Sequence, residues 1–292
     1  MTQKDFDAKK IKAMALDLDG TLLRPDKSLS ERNLRALRAC MEKDIKVILA
    51  TGRAVSSGEK YRKQIGTTGP QIYFNGARVV DVNAGKEIFF RYVSTEPILF
   101  CVRLARKMGI FFQAFFPDCP SADSKKESNR FGEILVADRK TAEAERYEKA
   151  TGVQVITGDL EEHLVKATSV IKAMFIAPEE NHNKIRGLLR EQFGQSIYIV
   201  QSTPIFLEIL AEGVSKGAGL EHALNYLSIK KENTIAFGDE ENDLPMLKIA
   251  GFSAAPANAK ETVLKEATFQ IPADDEDGVA VFLEENMGIS KN

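Results

Sequence analysis

The chain has 292 residues, 40 Lys and Arg against 42 Asp and Glu, a net charge of -2 and 43% hydrophobic residues. A chain this apolar and this close to neutrality folds rather than staying disordered, and it carries no global field to recruit nucleic acid or an anionic membrane, so the expected partner is a small molecule. The length exceeds what one core usually organises and points to two lobes.

In chain order, residues 1 to 10 are polar with mixed charges, and no apolar run approaches 18 residues; neither a signal peptide nor a membrane span is predicted, and the expected location is cytoplasmic. "IKAMALDL" reads as a buried parallel strand ending at Asp17 and Asp19, which are two residues apart and so share one strand face. "SERNLRALRACMEKD" reads as an amphipathic helix with Leu34, Leu37 and Met41 on one stripe, and Ser28 with Glu31 has the spacing of a capping box. "IKVILATGR" repeats the pattern and ends at Thr51, Gly52 and Arg53; a helical stretch and a third strand, "QIYFNGARVV", follow. This alternation predicts an α/β fold, a doubly wound Rossmann-like parallel sheet with helices on both faces.

From "DVNAGKEIFFRYV" the pattern changes to a hairpin around Asn-Ala-Gly-Lys, then strands at "IFFQAFF", "FGEILVA", "SVIKAMFIA" and "SIYIVQS". Helical patterns near 96–108, 142–150 and 179–193 separate some of them. "PDCPSADSKKESNR", residues 117–130, reads as a loop. After "IFLEILAEG" the alternation resumes with a helix from about Lys216, the strand "TIAFGD", a helix from Asp243, a short strand near Phe252 and two terminal helices. Residues 1–82 and 206–292 are therefore expected to form the core and 83–205 an inserted α+β domain. Cys40, Cys101 and Cys119 are odd in number and lack ligand spacing, which predicts reduced thiols. His163, His182 and His222 also lack ligand spacing and are expected at solvated helix positions.

Four polar clusters fall where apolar strands end, the place where open α/β sheets bind ligands. They are Asp17 with Asp19, Thr51 with Gly52 and Arg53, Lys216, and Asp239 with Asn242 and Asp243. Taken singly each has a plain reading: an Asp-Gly turn, a helix cap, a solvated helix start, an acidic turn. Taken together, several carboxylates in one crevice repel one another unless a cation neutralises them, and a hard, oxygen-seeking ion such as Mg2+ does so. Thr51 adds a hydroxyl and Lys216 a compact positive charge, which makes a phosphoryl-transfer site. Gly20 gives the chain a sharp turn and leaves a phosphate room. Arg53 and Asn75 also follow strands at this edge; they are candidates for the non-phosphate part of a substrate, or ordinary polar loop residues.

The ordered stretches "DLDGTLL", "ATGR", "SKG" and "GDEENDLPML" resemble the four motifs of the haloacid dehalogenase superfamily, in its Cof-type phosphatases with a class IIB cap, and the resemblance covers nearly the whole chain. It implies that Asp17 is a nucleophile that becomes an aspartyl phosphate and that Asp19 is the acid and then the base. It places Mg2+ on the Asp17 side chain, the main-chain carbonyl of Asp19 and Asp239, with Asp243 assisting the metal shell or orienting Lys216. Thr51, Gly52, Lys216 and Asn242 would hold the phosphoryl group, and the insert would be a cap that selects the substrate. Asp19 favours a phosphatase or mutase, because the ATPases of the superfamily carry Thr there. The implied activity is hydrolysis of small phosphorylated metabolites, sugar phosphates first, by a monomer or weak homo-oligomer. The alternatives are a flavin or pyridoxal phosphate, a sugar-phosphate mutase, or a catalytically silent ligand sensor on the same fold. One departure is "SAAPANA", residues 253–259, in place of an Ala-Met-Gly-Asn-Ala type loop, though Asn258 keeps its place.

Overall fold

In the computed structural model, which describes residues 5–118, 131–167 and 169–290, the strands sort into three sheets. Five strands pair in parallel in the order Phe269–Ile271, Phe252–Pro256, Thr234–Phe237, Ala13–Leu16 and Lys46–Leu49. Ala13–Leu16 is therefore the switch point: the chain leaves it toward Lys46–Leu49 on one side and returns beside it as Thr234–Phe237 on the other. Ligands of such sheets bind outside the carboxyl ends of the strands at that point. A parallel bridge from Ala50 to Ile72 carries the sheet on toward Gln71–Tyr73, which heads a three-stranded sheet with Arg78–Asp81 and Lys86–Phe90.

Alternate strand residues serve two apolar layers, as the pleat requires. Met14, Leu16, Val47, Leu49, Ile235 and Phe237 pack with residues of the helices Glu31–Glu42 and Gly278–Asn286. Ala13, Ala15, Ile48 and Ala236 face the helices Lys216–Leu227, Leu244–Ile249 and Glu261–Glu266. Each large side chain buried in these layers is worth about 1.5–3 kcal/mol. The Ser30 hydroxyl caps Glu31–Glu42 by accepting from the Asn33 N–H; Ser28, the expected cap, instead donates to Asp26.

The described residues form two compact units, Met1–Gly52 with Gly58–Phe89 and Ser215–Asn292, and Arg53–Ser57 with Phe90–Val214. The expected boundaries at 82 and 206 therefore shift. Phe206–Ala211 pairs antiparallel with Ile197–Thr203 and Lys172–Ile176, inside the sheet of the second unit. An apolar run does not show which sheet it will join. That six-stranded sheet continues through Phe111–Pro117 and Glu133–Ala137 to Val155–Thr157. Within it Lys172 and Glu208 form a buried ion pair at 3.0 Å, and the Ser202 hydroxyl also donates to Glu208.

Other expectations change locally. "QIYFNGARVV" is not one strand: a 3-10 turn at Phe74–Gly76 separates two antiparallel strands. Gly76 has φ +96°, and a Cβ there would stand 2.0 Å from the Ser215 carbonyl oxygen. Gly76→Ala should therefore cost about 3 kcal/mol or more, read by chemical denaturation; a loss below about 1 kcal/mol would contradict that contact. His182 is 2% exposed rather than solvated, with its ring nitrogens 3.2 Å from Gln201 Oε1 and the Ala177 carbonyl. The strands Val155–Thr157 and Phe269–Ile271 and the helix Leu160–Lys166 are additions to the sequence reading. Cys40 and Cys101 are buried free thiols, whereas Cys119 and most of the 117–130 stretch lie outside the described residues. Among the described residues no helix is long and apolar enough to cross a membrane.

Candidate active site

Leu16 pairs with Phe237, and the Asp17 N–H donates to the Phe237 carbonyl at 3.0 Å, so two neighbouring strands end level and deliver Asp17 and Asp239 to one place. Carboxylate oxygens of Asp17, Asp239 and Asp243 lie within 4.8 Å of one another, and all three residues are buried. Lys216 begins a helix whose cap, Ser215, accepts from the Ala218 N–H. At 1% exposure, its ammonium donates to Asp17 Oδ1 and Asp243 Oδ1, each at 2.6 Å.

Asp243 has no oxygen to spare. Its Oδ2 accepts the N–H groups of Asp239 and Glu240, both at 3.0 Å, so it folds the acidic turn and aims Lys216. The Thr21 hydroxyl donates to Asp239 Oδ1 at 2.7 Å. That leaves Oδ2 of Asp17 and Oδ2 of Asp239 without a hydrogen-bond partner among the described residues. Gly20 keeps this space open: its φ is +87°, and a Cβ would stand 2.4 Å from Asp239 Oδ2.

Three buried carboxylates face one ammonium. Burial pushes the Asp17 carboxyl up to about 7, with the charges of Asp243 and Asp19 adding to the effect and Lys216 opposing it. Burial pushes Asp239 up to about 9, again with two neighbouring carboxylates behind it. For Lys216, burial works against the charge, but Asp17 and Asp243 hold it above the ordinary lysine value. A site in which charged carboxylates are this unfavourable lacks positive charge, and its donors are all oxygen. Both properties fit a small divalent cation such as Mg2+, with the uncommitted oxygens of Asp17 and Asp239 as the protein ligands.

Thr51 is buried directly after Ala50, whose N–H donates to the Leu16 carbonyl; the Thr51 N–H donates to the Ile72 carbonyl and its carbonyl accepts from the Asn75 N–H. Asn242 Nδ2 donates to Asn75 Oδ1 at 3.0 Å. Asp19 differs from the buried trio: its side chain is 32% exposed and pairs with Lys27 at 2.9 Å. Arg53 is buried and groups with the second unit. Three residues escaped the sequence reading as site components. Thr21 stood inside the quoted "DLDGTLL", whereas nothing in the sequence ties Lys27 to Asp19. Asn258 was noted only for its place, and here it donates to the Gly20 carbonyl at 2.8 Å while accepting the Asp274 N–H.

Residues 14–283 match the family model of haloacid dehalogenase-like hydrolases. A 5-amino-6-(5-phospho-D-ribitylamino)uracil phosphatase of Bacillus subtilis is 31% identical over 280 residues, covering 93% of this chain and 96% of the relative. Among solved structures, a haloacid dehalogenase-like hydrolase from Bacteroides thetaiotaomicron has a TM-score of 0.80 at 24% identity, over 94% of this chain and 99% of the other. A phosphatase of the same superfamily from that organism has a TM-score of 0.75 at 26% identity, over 96% of each chain.

Proposed function

The chain belongs to the haloacid dehalogenase-like hydrolase family and is a phosphomonoesterase, and from that premise we propose that it hydrolyses small phosphorylated metabolites with Mg2+, through a phosphate ester on Asp17. The observation that carries this reading is the buried trio of Asp17, Asp239 and Asp243 around Lys216, with one oxygen of Asp17 and one of Asp239 left uncommitted. Asp17 attacks phosphorus, the P–O bond to the alcohol breaks, and Asp19 gives its proton to the departing oxygen. Asp19 then takes a proton from water as that water attacks the phosphorus of the aspartyl phosphate, which releases inorganic phosphate and restores Asp17. When bound, Mg2+ supplies positive charge that lets Asp17 ionise and draws charge from the phosphoryl oxygens. Lys216 holds Asp17 in place for attack, Thr51, Gly52 and Asn242 hold the phosphoryl group, and in-line positioning supplies much of the rate.

The half-exposed Asp19 gives the reading its sharpest test. With an aryl phosphate, whose leaving group needs no proton, Asp19→Asn should release about one equivalent of phenol per site quickly and then stall, because the base for the second step is missing. With a sugar phosphate it should be slow from the start, by about 10²- to 10⁴-fold. Equal losses on both substrates without a burst would remove Asp19 from the acid and base roles.

Sugar phosphates remain the first substrate class, chosen by the second unit, since Asp17, Asp19, Thr51, Lys216 and Asp239 all lie in the first. A second reading has a specific observation behind it: the 31% identical Bacillus subtilis relative is named for a phosphate at the end of a ribityl chain on a pyrimidine. Ranking kcat/KM across hexose phosphates and ribitylaminopyrimidine phosphates separates the two.

A further inference from the structure

We propose that Asn75 is a positioning residue of the phosphoryl site, which fixes the Asn242 amide and the turn at Thr51 and Gly52 without touching the substrate itself. The inference rests on the phosphatase reading through the role given to Asn242. Three consecutive residues, Phe74, Asn75 and Gly76, have positive φ values of 50°, 55° and 96°. For the two that are not glycine this costs about 1–2 kcal/mol each, a strain that persists only where the surroundings hold it. The result is an asparagine side chain delivered, at 0% exposure, to a place that no regular strand would reach.

There it joins two distant segments. Asn75 Oδ1 accepts from Asn242 Nδ2 at 3.0 Å, across 167 residues of chain. Its backbone N–H donates to the Thr51 carbonyl at 3.0 Å. Gly52 is fitted to the same side chain, because a Cβ at residue 52 would stand 3.0 Å from Asn75 Oδ1. Asn242, only 4% exposed, keeps an Oδ1 with no partner among the described residues. With one Nδ2 proton committed to Asn75, the amide is held in one orientation, and its second Nδ2 proton is the donor it can offer to a phosphoryl oxygen. Asn75 is thus too enclosed to meet the distal part of a substrate, the role its place in the sequence suggested, and it sits where it can hold the groups that meet the phosphate.

The test is a double-mutant cycle on the full chain with Asn75→Gly and Asn242→Ala. Glycine adopts the left-handed backbone freely, so Asn75→Gly removes the side chain while leaving the turn intact. The expected result is a loss of about 10- to 100-fold in kcat/KM for an aryl phosphate, a comparable weakening of inorganic phosphate binding measured calorimetrically in Mg2+, and a melting temperature within a few degrees of wild type. In the Asn242→Ala background, Asn75→Gly should add no more than about a twofold loss, because the two act as one unit. Wild-type phosphate binding in a folded Asn75→Gly protein would overturn the proposal, as would losses that multiply. Asn75→Ser, whose hydroxyl is too short to reach the Asn242 amide, enters the same cycle if Asn75→Gly does not fold, with the same two outcomes. A wild-type protein that binds phosphate but hydrolyses no ester would sink the phosphatase reading alone, since the cycle can be read on phosphate binding.

Discussion

Asp17→Asn is expected to lower turnover by about 10⁴-fold or more while the metal-free protein melts no lower than wild type at about pH 8. The catalytic loss follows from chemistry: an amide keeps the shape of the carboxylate but has no nucleophilic oxygen to form the phosphate ester. The stability half follows from the site. Burial and two neighbouring carboxylates raise the Asp17 carboxyl to about 7, so above that pH its negative charge is a burden on the folded state. Lys216 does not lose its only partner, because Asp243 Oδ1 still accepts from it at 2.6 Å. The two readouts therefore move in different directions, which separates a lost nucleophile from a lost fold. Steady-state turnover of an aryl phosphate, beside thermal melting in chelator, checks both. Turnover within tenfold of wild type would remove Asp17 from the nucleophile's place.

What the sequence made legible and what it hid follow from one distinction. Asp17, Lys216 and Asp239 could be picked out because their chemistry resides in residue type and their place at the ends of apolar strands. What they touch could not. Asp243 reads as another acid of the cluster, yet two backbone N–H groups and Lys216 occupy its oxygens, which only the folded turn reveals. Residues from 206 onward read as core, yet Phe206–Ala211 forms a strand whose hydrogen-bond partners place it in the second unit. The break in "QIYFNGARVV" depends on left-handed backbone at Phe74 and Asn75, and no propensity predicts that at a phenylalanine. Ser28 and Ser30 both suit a cap, and a shift of two residues decides between them. His182 shows the same limit from the other side: a polar residue on a helix is read as solvated until the Ala177 carbonyl and Gln201 are found against it.

The charge deficit at the site also predicts how metal, pH and stability are linked. In the unfolded chain both Asp17 and Asp239 titrate near the ordinary value of 3.8, whereas in the folded metal-free protein they titrate near 7 and 9. Between about 3.8 and 7 the folded state holds protons that the unfolded state has released, so stability must fall as pH rises, by up to about 1.4 kcal/mol per pH unit for each group. From about 7 to 9 the coupled pair still holds one proton that the unfolded chain has lost, so the slope is about half as steep, and above about 9 it vanishes. Mg2+ competes with those protons, so it binds weakly where the carboxyls are protonated and more tightly as they ionise. The rise in melting temperature on adding Mg2+ is therefore expected to be small at about pH 5.5 and several-fold larger at about pH 8. Chelator should abolish turnover, and Mg2+ should restore it. Asp239→Asn should flatten the fall in metal-free stability above about pH 7, reduce the Mg2+ shift, and raise the Mg2+ concentration needed for turnover by tenfold or more. A Mg2+ shift independent of pH, or one that survives Asp239→Asn unchanged, would mean that the cation binds elsewhere and that this cluster is not its site.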